Sequence, residues 1–103
     1  MANDATLRIV DNPAGQRYEA RLDGVLAGFS EYRLVRKRMI FVHTEVDPAF
    51  EGRGIGARLV TGALDDVRAR GLTITVKCPF IATFLERHPE YRDLLHSRDI
   101  NRT

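Results

Sequence analysis

A glycine-rich segment between a strand-like run and a helix-like run is the strongest constraint on the fold of this chain. Residues 51–56, EGRGIG, follow the apolar run 40–46 and lead into the amphipathic run 55–70. Glycines allow a tight turn in which backbone N–H groups approach a ligand, and the start of a helix offers unpaired N–H groups and a dipole that favours anions. The segment therefore predicts a strand, a turn and a helix start that together bind a phosphate or pyrophosphate.

Two common nucleotide-binding loops do not match this segment. A P-loop places Lys and then Ser or Thr after its last glycine, whereas Ala57 and Arg58 follow Gly56 here. The dinucleotide fingerprint has GxGxxG spacing within a double βαβ unit, and a chain of 103 residues with GxGxG spacing provides neither. The arginines that flank the turn, Arg53 and Arg58, are either phosphate ligands or ordinary surface residues.

Composition indicates one ordered domain. With 44% hydrophobic and 29% charged residues and no low-complexity run, we expect a single domain over residues 1–103 with an ordered core at about 6–96. No apolar run approaches the length of a membrane span, and the first five residues lack the features of a signal peptide, which predicts a cytoplasmic protein. Cys78 is the only cysteine, which excludes an internal disulfide and a multi-cysteine zinc site.

A basic cluster occurs at Arg33, Arg36, Lys37 and Arg38. The net charge of +2 does not indicate general nucleic-acid binding, so nucleic acid is only a minor interpretation of this cluster. The main interpretation is the solvated tip of a hairpin. A protein-interaction adaptor that uses this hairpin is one of three functional hypotheses for the chain.

Hydrophobic periodicity predicts four strands followed by a helix and a fifth strand. The five predicted strands cover residues 6–10, 17–22, 25–35, 39–46 and 72–78. Short turns between the first four, including Asp23-Gly24, require an antiparallel meander. A right-handed crossover through the helix then makes the fifth strand parallel to the fourth.

Three helices are predicted in the second half of the chain. The main helix, residues 55–70, has one apolar stripe and ends before Gly71. A second helix begins at Pro79 and stops near His88, and a short third helix covers about residues 90–95. The predicted buried side of the second helix consists of Phe80, Ile81, Phe84 and Leu85.

The glycine segment and its surroundings resemble motif A of the GNAT N-acetyltransferases, a superfamily that uses acyl-coenzyme A. Residues 43–56, HTEVDPAFEGRGIG, place Gly54 and Gly56 at the glycines of the family's Q/R-x-x-G-x-G/A loop. The segments HTEV at 43–46, KCPF at 77–80 and HPEY at 88–91 narrow the resemblance to small single-domain GNAT-like proteins of the N-acetyltransferase domain-containing 1 type. This resemblance covers most of the chain, from the second strand to Leu95.

The resemblance implies an α/β fold with a GNAT-like mixed sheet and an acetyl-coenzyme A co-substrate, without a metal. The fourth and fifth strands would part at their carboxyl ends and admit the pantetheine arm, while amides of the glycine loop face the pyrophosphate. The residues implied for binding the coenzyme are Val46, Asp47, Phe50, Gly52, Arg53, Gly54, Ile55, Gly56 and Arg58.

Two departures from the family pattern affect this expectation. Glu51 occupies the Gln or Arg position of the motif, so its side chain is expected to point away from the site or pair with Arg53. Full-size GNAT enzymes have helices between their first two strands, whereas only residues 11–16 separate them here. The acceptor site is therefore expected to be open or built differently.

Cys78 has two interpretations. It lies before the helix that starts at Pro79 and next to Lys77, surroundings that favour a thiolate, so it is a candidate catalytic residue that takes the acyl group transiently. It also continues the apolar face of the fifth strand, and a free cysteine is often a small core residue. The sequence leaves both interpretations open.

His43 and Glu45 are the other catalytic candidates. They are two residues apart on the fourth strand, so we expect them to share a face with Phe41. Such a pair can deprotonate an ammonium acceptor, since only the neutral amine attacks a thioester, or it can be a satisfied polar pair on the sheet surface. His88 is expected to cap helix carbonyls, and a zinc site of His43, Cys78 and His88 fits no standard metal motif.

The sequence thus predicts an N-acetyltransferase that moves an acetyl group from acetyl-coenzyme A to an amine. The acceptor is an unidentified small molecule or protein lysine, and no membrane partner is expected. The alternative is a coenzyme A binding module without efficient transfer, which the missing acceptor helices favour.

Overall fold

A computed structural model describes residues 6–96 and contains a five-stranded mixed sheet. The strands are β1 Leu7–Asn12, β2 Arg17–Leu22, β3 Val25–Val35, β4 Arg38–Val46 and β5 Thr73–Val76. They lie in the order β1-β2-β3-β4-β5; the first three pairings are antiparallel, and β4 pairs with β5 in parallel. The predicted fold class, an antiparallel meander with a parallel fifth strand, is confirmed.

The main helix, α1 Ile55–Ala69, packs its apolar stripe against the sheet as predicted. Its buried residues are Ile55, Gly56, Leu59, Val60, Ala63, Leu64 and Val67. Gly62 allows the helix to approach β1 closely, because a Cβ added there would lie 2.8 Å from Ile9 Cβ. In the described part of the chain, no helix has the length and apolar character needed to cross a bilayer.

The second helix, α2 Pro79–Arg87, joins the same hydrophobic core through Ile81, Phe84 and Leu85. The prediction that Phe80 is buried with them is wrong, because its side chain is 42% exposed. Positions 81, 84 and 85 fall on one helical stripe and Phe80 lies beside it. The last predicted helix is a 3₁₀ helix at Pro89–Leu94, and two other 3₁₀ helices occur at Pro13–Gly15 and Pro48–Phe50.

β4 contains a bulge that sequence periodicity did not predict. Glu31 of β3 lies opposite His43 while Tyr32 lies opposite Phe41, so Val42 is an extra residue on β4. The prediction that His43 and Glu45 share a face with Phe41 is therefore wrong. Phe41 is fully buried among the core residues, whereas His43 and Glu45 are exposed on the other face of the sheet.

On the face of the sheet opposite α1, ion pairs and hydrogen bonds around Glu19 connect the strands in place of an apolar core. Glu19 of β2 is 4% exposed and accepts hydrogen bonds from Asn12 Nδ2 at 3.0 Å, Arg17 Nε at 2.8 Å and Arg21 Nη2 at 2.9 Å. The hydrogen bond from Asn12 and those from the two arginines lower the pKa of Glu19 to about 2 against the opposing effect of burial. The carboxylate thus remains charged over the physiological range.

Candidate active site

β4 and β5 part in the middle of β4. Their last pair joins Phe41 to Val76, and Lys77 N–H then donates to the Phe41 carbonyl at 2.9 Å. β4 continues beside β3 as far as Val46, with Asp47 N–H donating to Ala27 O at 2.8 Å just beyond it. Antiparallel pairing alternates, so the backbone N–H and C=O groups of Thr44 and Val46 point away from β3 into the gap.

The glycine loop lies at the end of this gap. Gly52 and Gly54 have φ values of 83° and 72°, a left-handed conformation that glycine adopts without strain. Gly54 is the N-cap of α1 and provides no side-chain cap, and the first helical hydrogen bond runs from Arg58 N–H to Gly54 O at 3.2 Å. The backbone N–H groups of residues 52–57 have no acceptor within residues 6–96.

A cavity of about 390 Å³ adjoins these amides. Its lining residues are Val46, Phe50, Glu51, Gly52, Gly54, Ile55, Gly56, Ala57 and Phe80. Apart from the glycine and its two chain neighbours, no described heavy atom lies within 4 Å of the position a Cβ would take at Gly52 or Gly54, so the loop is open to a ligand on that side. A concave run of unpaired N–H groups at a helix start fits a pyrophosphate.

The charged residues of the loop are not paired with one another. The Arg53 guanidinium lies over the Phe50 ring, 5.7 Å from its centroid, and the described residues contain no Arg53–Glu51 ion pair, one of the two arrangements expected for Glu51. Arg53 and Arg58 are both exposed and form no ion pair within residues 6–96. Both guanidinium groups thus remain available to a bound anion.

The residues expected to contact the pantetheine arm differ in what they offer. Asp47 donates its N–H to Ala27 O, and its carboxylate accepts from Ala49 N–H at 2.9 Å. Phe50 N–H donates to Asp47 O at 2.8 Å. Val46 is the one of these three expected residues whose backbone N–H is directed into the gap.

Phe80 was missed as a site residue because it was assigned to the core. Its ring lies across the start of α1, since a Cβ added to Gly56 would be 2.5 Å from Phe80 Cζ. It lines the glycine-loop cavity and also a second cavity of about 480 Å³ between α1 and α2. The other residues of that second cavity are Ala57, Pro79, Thr83, Phe84, Arg87 and His88.

Cys78 is the N-cap residue of α2 and faces the core side of the gap, where it is 2% exposed. Its thiol donates a hydrogen bond to Thr44 Oγ1 at 3.3 Å, and Thr44 Oγ1 lies 2.9 Å from Ser30 Oγ. Ser30 is fully buried, so the three groups form a hydroxyl and thiol chain across the gap. Sequence reasoning missed Thr44 and Ser30, because a regular hairpin register pairs Ser30 with His43.

His43 and Glu45 form a pair on the opposite face of β4. His43 Nε2 lies 3.0 Å from Glu45 Oε1, the two side chains are 54% and 58% exposed, and the Phe29 ring is 6.0 Å from the imidazole. The bulge at Val42 separates this pair from Cys78. The structure therefore does not bring the three predicted catalytic residues together.

His88 caps its helix as expected. A carbonyl oxygen can only accept, so His88 Nδ1–H donates to Phe84 O at 3.0 Å, and the imidazole stacks on the Phe84 ring at 4.0 Å between centroids. Over the described range 6–96, no group of three His, Cys, Asp or Glu side chains is arranged to hold a metal ion.

A profile of the GCN5-related N-acetyl-transferase family matches residues 17–94, which include β2–β5 and both α-helices. The chain belongs to the GCN5-related N-acetyltransferase family, as the motif predicted.

Within this family the chain is similar to vertebrate proteins named Protein NATD1. It is 41% identical to the one from Bos taurus over 59 residues, 56% of this chain and 52% of the relative, so it spans about half of that protein's length. It is 31% identical to the one from Mus musculus over 85 residues, 81% of this chain and 77% of the relative. These similarities bear out the narrower resemblance drawn from the sequence.

The fold is also similar to a solved structure of a GCN5-like protein from Staphylococcus aureus. The TM-score is 0.67 at 24% identity, covering 93% of this chain and 91% of the other. At this identity the comparison supports the fold alone.

Proposed function

We propose that this chain is an N-acetyltransferase that uses acetyl-coenzyme A as acyl donor and an amine as acceptor. The observation that carries the proposal is the run of unpaired N–H groups at residues 52–57, placed where β4 and β5 part. An anion site beside a gap between strands suits a ligand with a pyrophosphate and a long flexible arm. Family membership supports the same reaction class.

The donor lies along three neighbouring features in this proposal. Its pantetheine arm enters the gap and pairs with the backbone of Val46, while its pyrophosphate meets the amides of residues 52–57. Arg53 and Arg58 add positive charge beside the phosphates. The adenosine end reaches the cavity beyond Phe80, where Phe84 and His88 form an aromatic stack and Arg87 is a cation for the remaining phosphate.

Two routes of transfer are open, and they use opposite faces of β4. In the first, the Cys78 sulfur attacks the thioester carbon, the bond to the coenzyme sulfur breaks, and the proton of the Cys78 thiol passes to that leaving sulfur. The amine then attacks the Cys78 thioester and releases the thiol. Before the attack, the hydrogen bond from the thiol to Thr44 Oγ1 orients the sulfur.

In the second route, the amine attacks the thioester of the donor directly. The exposed pair His43 and Glu45 accepts the proton of the ammonium group, and the coenzyme leaves as a thiol after protonation by water. An acceptor for this route approaches from the open face of the sheet. The binding-module alternative is supported by the connection between β1 and β2, a 3₁₀ turn at Pro13–Gly15 that builds no wall for an acceptor.

Intact-mass measurement after incubation with acetyl-coenzyme A distinguishes the two routes. The first route predicts one acetyl adduct that hydroxylamine removes and that Cys78→Ala abolishes. The second predicts no adduct and a larger loss of turnover in Glu45→Gln or His43→Ala than in Cys78→Ala. Glu31→Gln is the matched control, because Glu31 is a carboxylate on the same face that pairs with Arg33.

Turnover is measured as release of free coenzyme A thiol with a panel of amines. If Cys78→Ala, Glu45→Gln and His43→Ala all turn over acetyl-coenzyme A as fast as the unmodified chain, none of the three residues takes part in the reaction. Tight coenzyme binding without turnover on any amine would select the binding module. Absence of coenzyme binding would contradict the proposal as a whole.

A further inference from the structure

The basic cluster of the β3–β4 hairpin forms part of a pocket. Three parts of the chain that are distant in sequence converge there: the hairpin tip, the turn from α1 to β5, and His96. They border an open concavity of about 680 Å³, and its described lining residues are Val35, Arg36, Lys37, Arg38, Gly71, Thr73 and His96. We call this volume the hairpin pocket. A hairpin tip that only meets solvent, the main interpretation from sequence, would have no such walls.

The charged side chains that line the hairpin pocket are positive. Arg36, Lys37 and Arg38 line it, and among residues 6–96 no acidic side chain does. None of these three side chains forms an ion pair with any residue between 6 and 96, whereas Arg33 in the same cluster is paired with Glu31. Three cations that no described residue neutralises lie around one concavity and attract an anion, and the two guanidinium groups offer forked donors for carboxylate or phosphate.

The backbone at Arg36 gives an independent reason to assign a role to this pocket. Arg36 has a φ of 57°, a left-handed conformation that hairpin turns normally fill with Gly, Asn or Asp. An L-residue with a longer side chain is strained there, and such strain is concentrated at functional sites. The chain thus retains an arginine where a glycine would fit the turn better.

We propose that the hairpin pocket binds a small anion carrying at least two negative charges, either a polycarboxylate or a phosphorylated small molecule. The site is separate from the glycine loop. β4 runs from Arg38 to Val46 between the two, a distance of about 25 Å at roughly 3.3 Å per residue. Anion binding at the hairpin pocket can therefore be tested independently of coenzyme binding at the glycine loop.

The test is an amide NMR titration of the ¹⁵N-labelled chain with citrate at low ionic strength, in a Gly54→Asp background that weakens anion binding at the glycine loop. Saturable shifts are expected at residues 35–38 and 71–73. The double variant Arg36→Ala/Arg38→Ala should weaken citrate binding about tenfold, the sum of two exposed charge contacts. The control Arg8→Ala/Arg92→Ala removes the same charge from two exposed arginines that do not line the pocket, and should change affinity less than twofold.

A parallel titration with inorganic pyrophosphate identifies the chemical class of the ligand. Tighter binding of pyrophosphate than of citrate indicates a phosphorylated ligand, and tighter binding of citrate indicates a polycarboxylate. Arg36→Gly should weaken binding about threefold without lowering the urea midpoint of unfolding, since the glycine relieves the left-handed strain. Gln16→Gly, at a φ of 54°, is the control that relieves similar strain without touching the pocket.

The proposal is overturned if the amide shifts are scattered over the surface. It is also overturned if Arg8→Ala/Arg92→Ala weakens citrate binding as much as Arg36→Ala/Arg38→Ala, because net charge alone would then explain the binding. A marked fall in the urea midpoint of Arg36→Gly would make Arg36 a structural residue and also overturn the proposal. If an octaglutamate peptide binds more than tenfold tighter than citrate or pyrophosphate, the ligand of the pocket is an acidic protein segment and the proposal of a small anion is wrong.

Discussion

Replacing Gly54 by Asp and, separately, by Asn isolates the charge of the proposed anion site. Gly54 has a φ of 72°, and apart from its chain neighbours no described residue lies within 4 Å of an added Cβ, so either side chain fits. Asn and Asp tolerate the left-handed region better than other L-residues and have the same size. The two variants therefore share their backbone cost and differ in one negative charge.

The size of that difference follows from Coulomb's law. A carboxylate about 6 Å from a phosphate charge costs about 1 kcal/mol at an effective dielectric between those of the protein surface and of water. A pyrophosphate carries two such charges, so the Asp variant should bind coenzyme A about 30-fold more weakly than the Asn variant, equivalent to about 2 kcal/mol.

Isothermal titration with coenzyme A at two salt concentrations measures this ratio, which should shrink at high salt because exposed charges are screened. Pantetheine lacks the pyrophosphate and should bind both variants equally. If the Asp and Asn variants bind coenzyme A with the same Kd, the pyrophosphate does not lie on the loop and the proposed site is misplaced.

Three further predictions concern stability, each checked by urea unfolding. The pKa of Glu19 is lowered from 4.5 to about 2 in the folded chain, so its contribution is present above pH 4.5 and lost as the pH falls toward 2; after allowance for its half-exposed arginine partners this loss is about 2 kcal/mol, and it should be absent in Glu19→Gln. Gly62→Ala should destabilise by about 1 kcal/mol, because the clash with Ile9 outweighs the gain in helix propensity, and the same change made in an Ile9→Ala background should no longer destabilise. Thr44→Val should cost about 1–3 kcal/mol because it leaves the buried Ser30 hydroxyl unpaired, and Thr44→Val/Ser30→Ala should recover most of that loss. Unchanged stability in any single variant would contradict the contact on which it rests.

Much of the fold could be predicted because local signals agreed with the sheet. β2 and β3 have their predicted bounds, since the Asp23-Gly24 turn fixes the hairpin between them. α1 begins at its predicted residue and ends one residue early at Ala69. β5 is shorter than predicted, because Lys77 already makes the last link to β4 and Cys78 caps α2.

The candidate site was less accessible to sequence reasoning, since its geometry depends on contacts between distant segments. Periodicity counts residues along one strand, so it cannot detect an extra residue that only the partner strand reveals. The same limit applies to Phe80, because its neighbour Gly56 lies on another helix. It also applies to the hairpin pocket, which is formed by the hairpin together with the α1–β5 turn.

The bulge at Val42 also determines which side chains of the second half of β4 face the helices. Regular alternation would place Phe41 and Thr44 on opposite faces, and the extra residue places both toward the helices. Deleting Val42 alone would restore regular alternation and leave Phe41, Thr44 and Val46 toward the helices, because the pairings of His43 with Glu31 and of Phe41 with Tyr32 would then be consecutive. A strand that kept Val42 but lost the bulge would instead turn Thr44 and Val46 outward, so we expect relatives with the same site either to keep the bulge or to lack the extra residue.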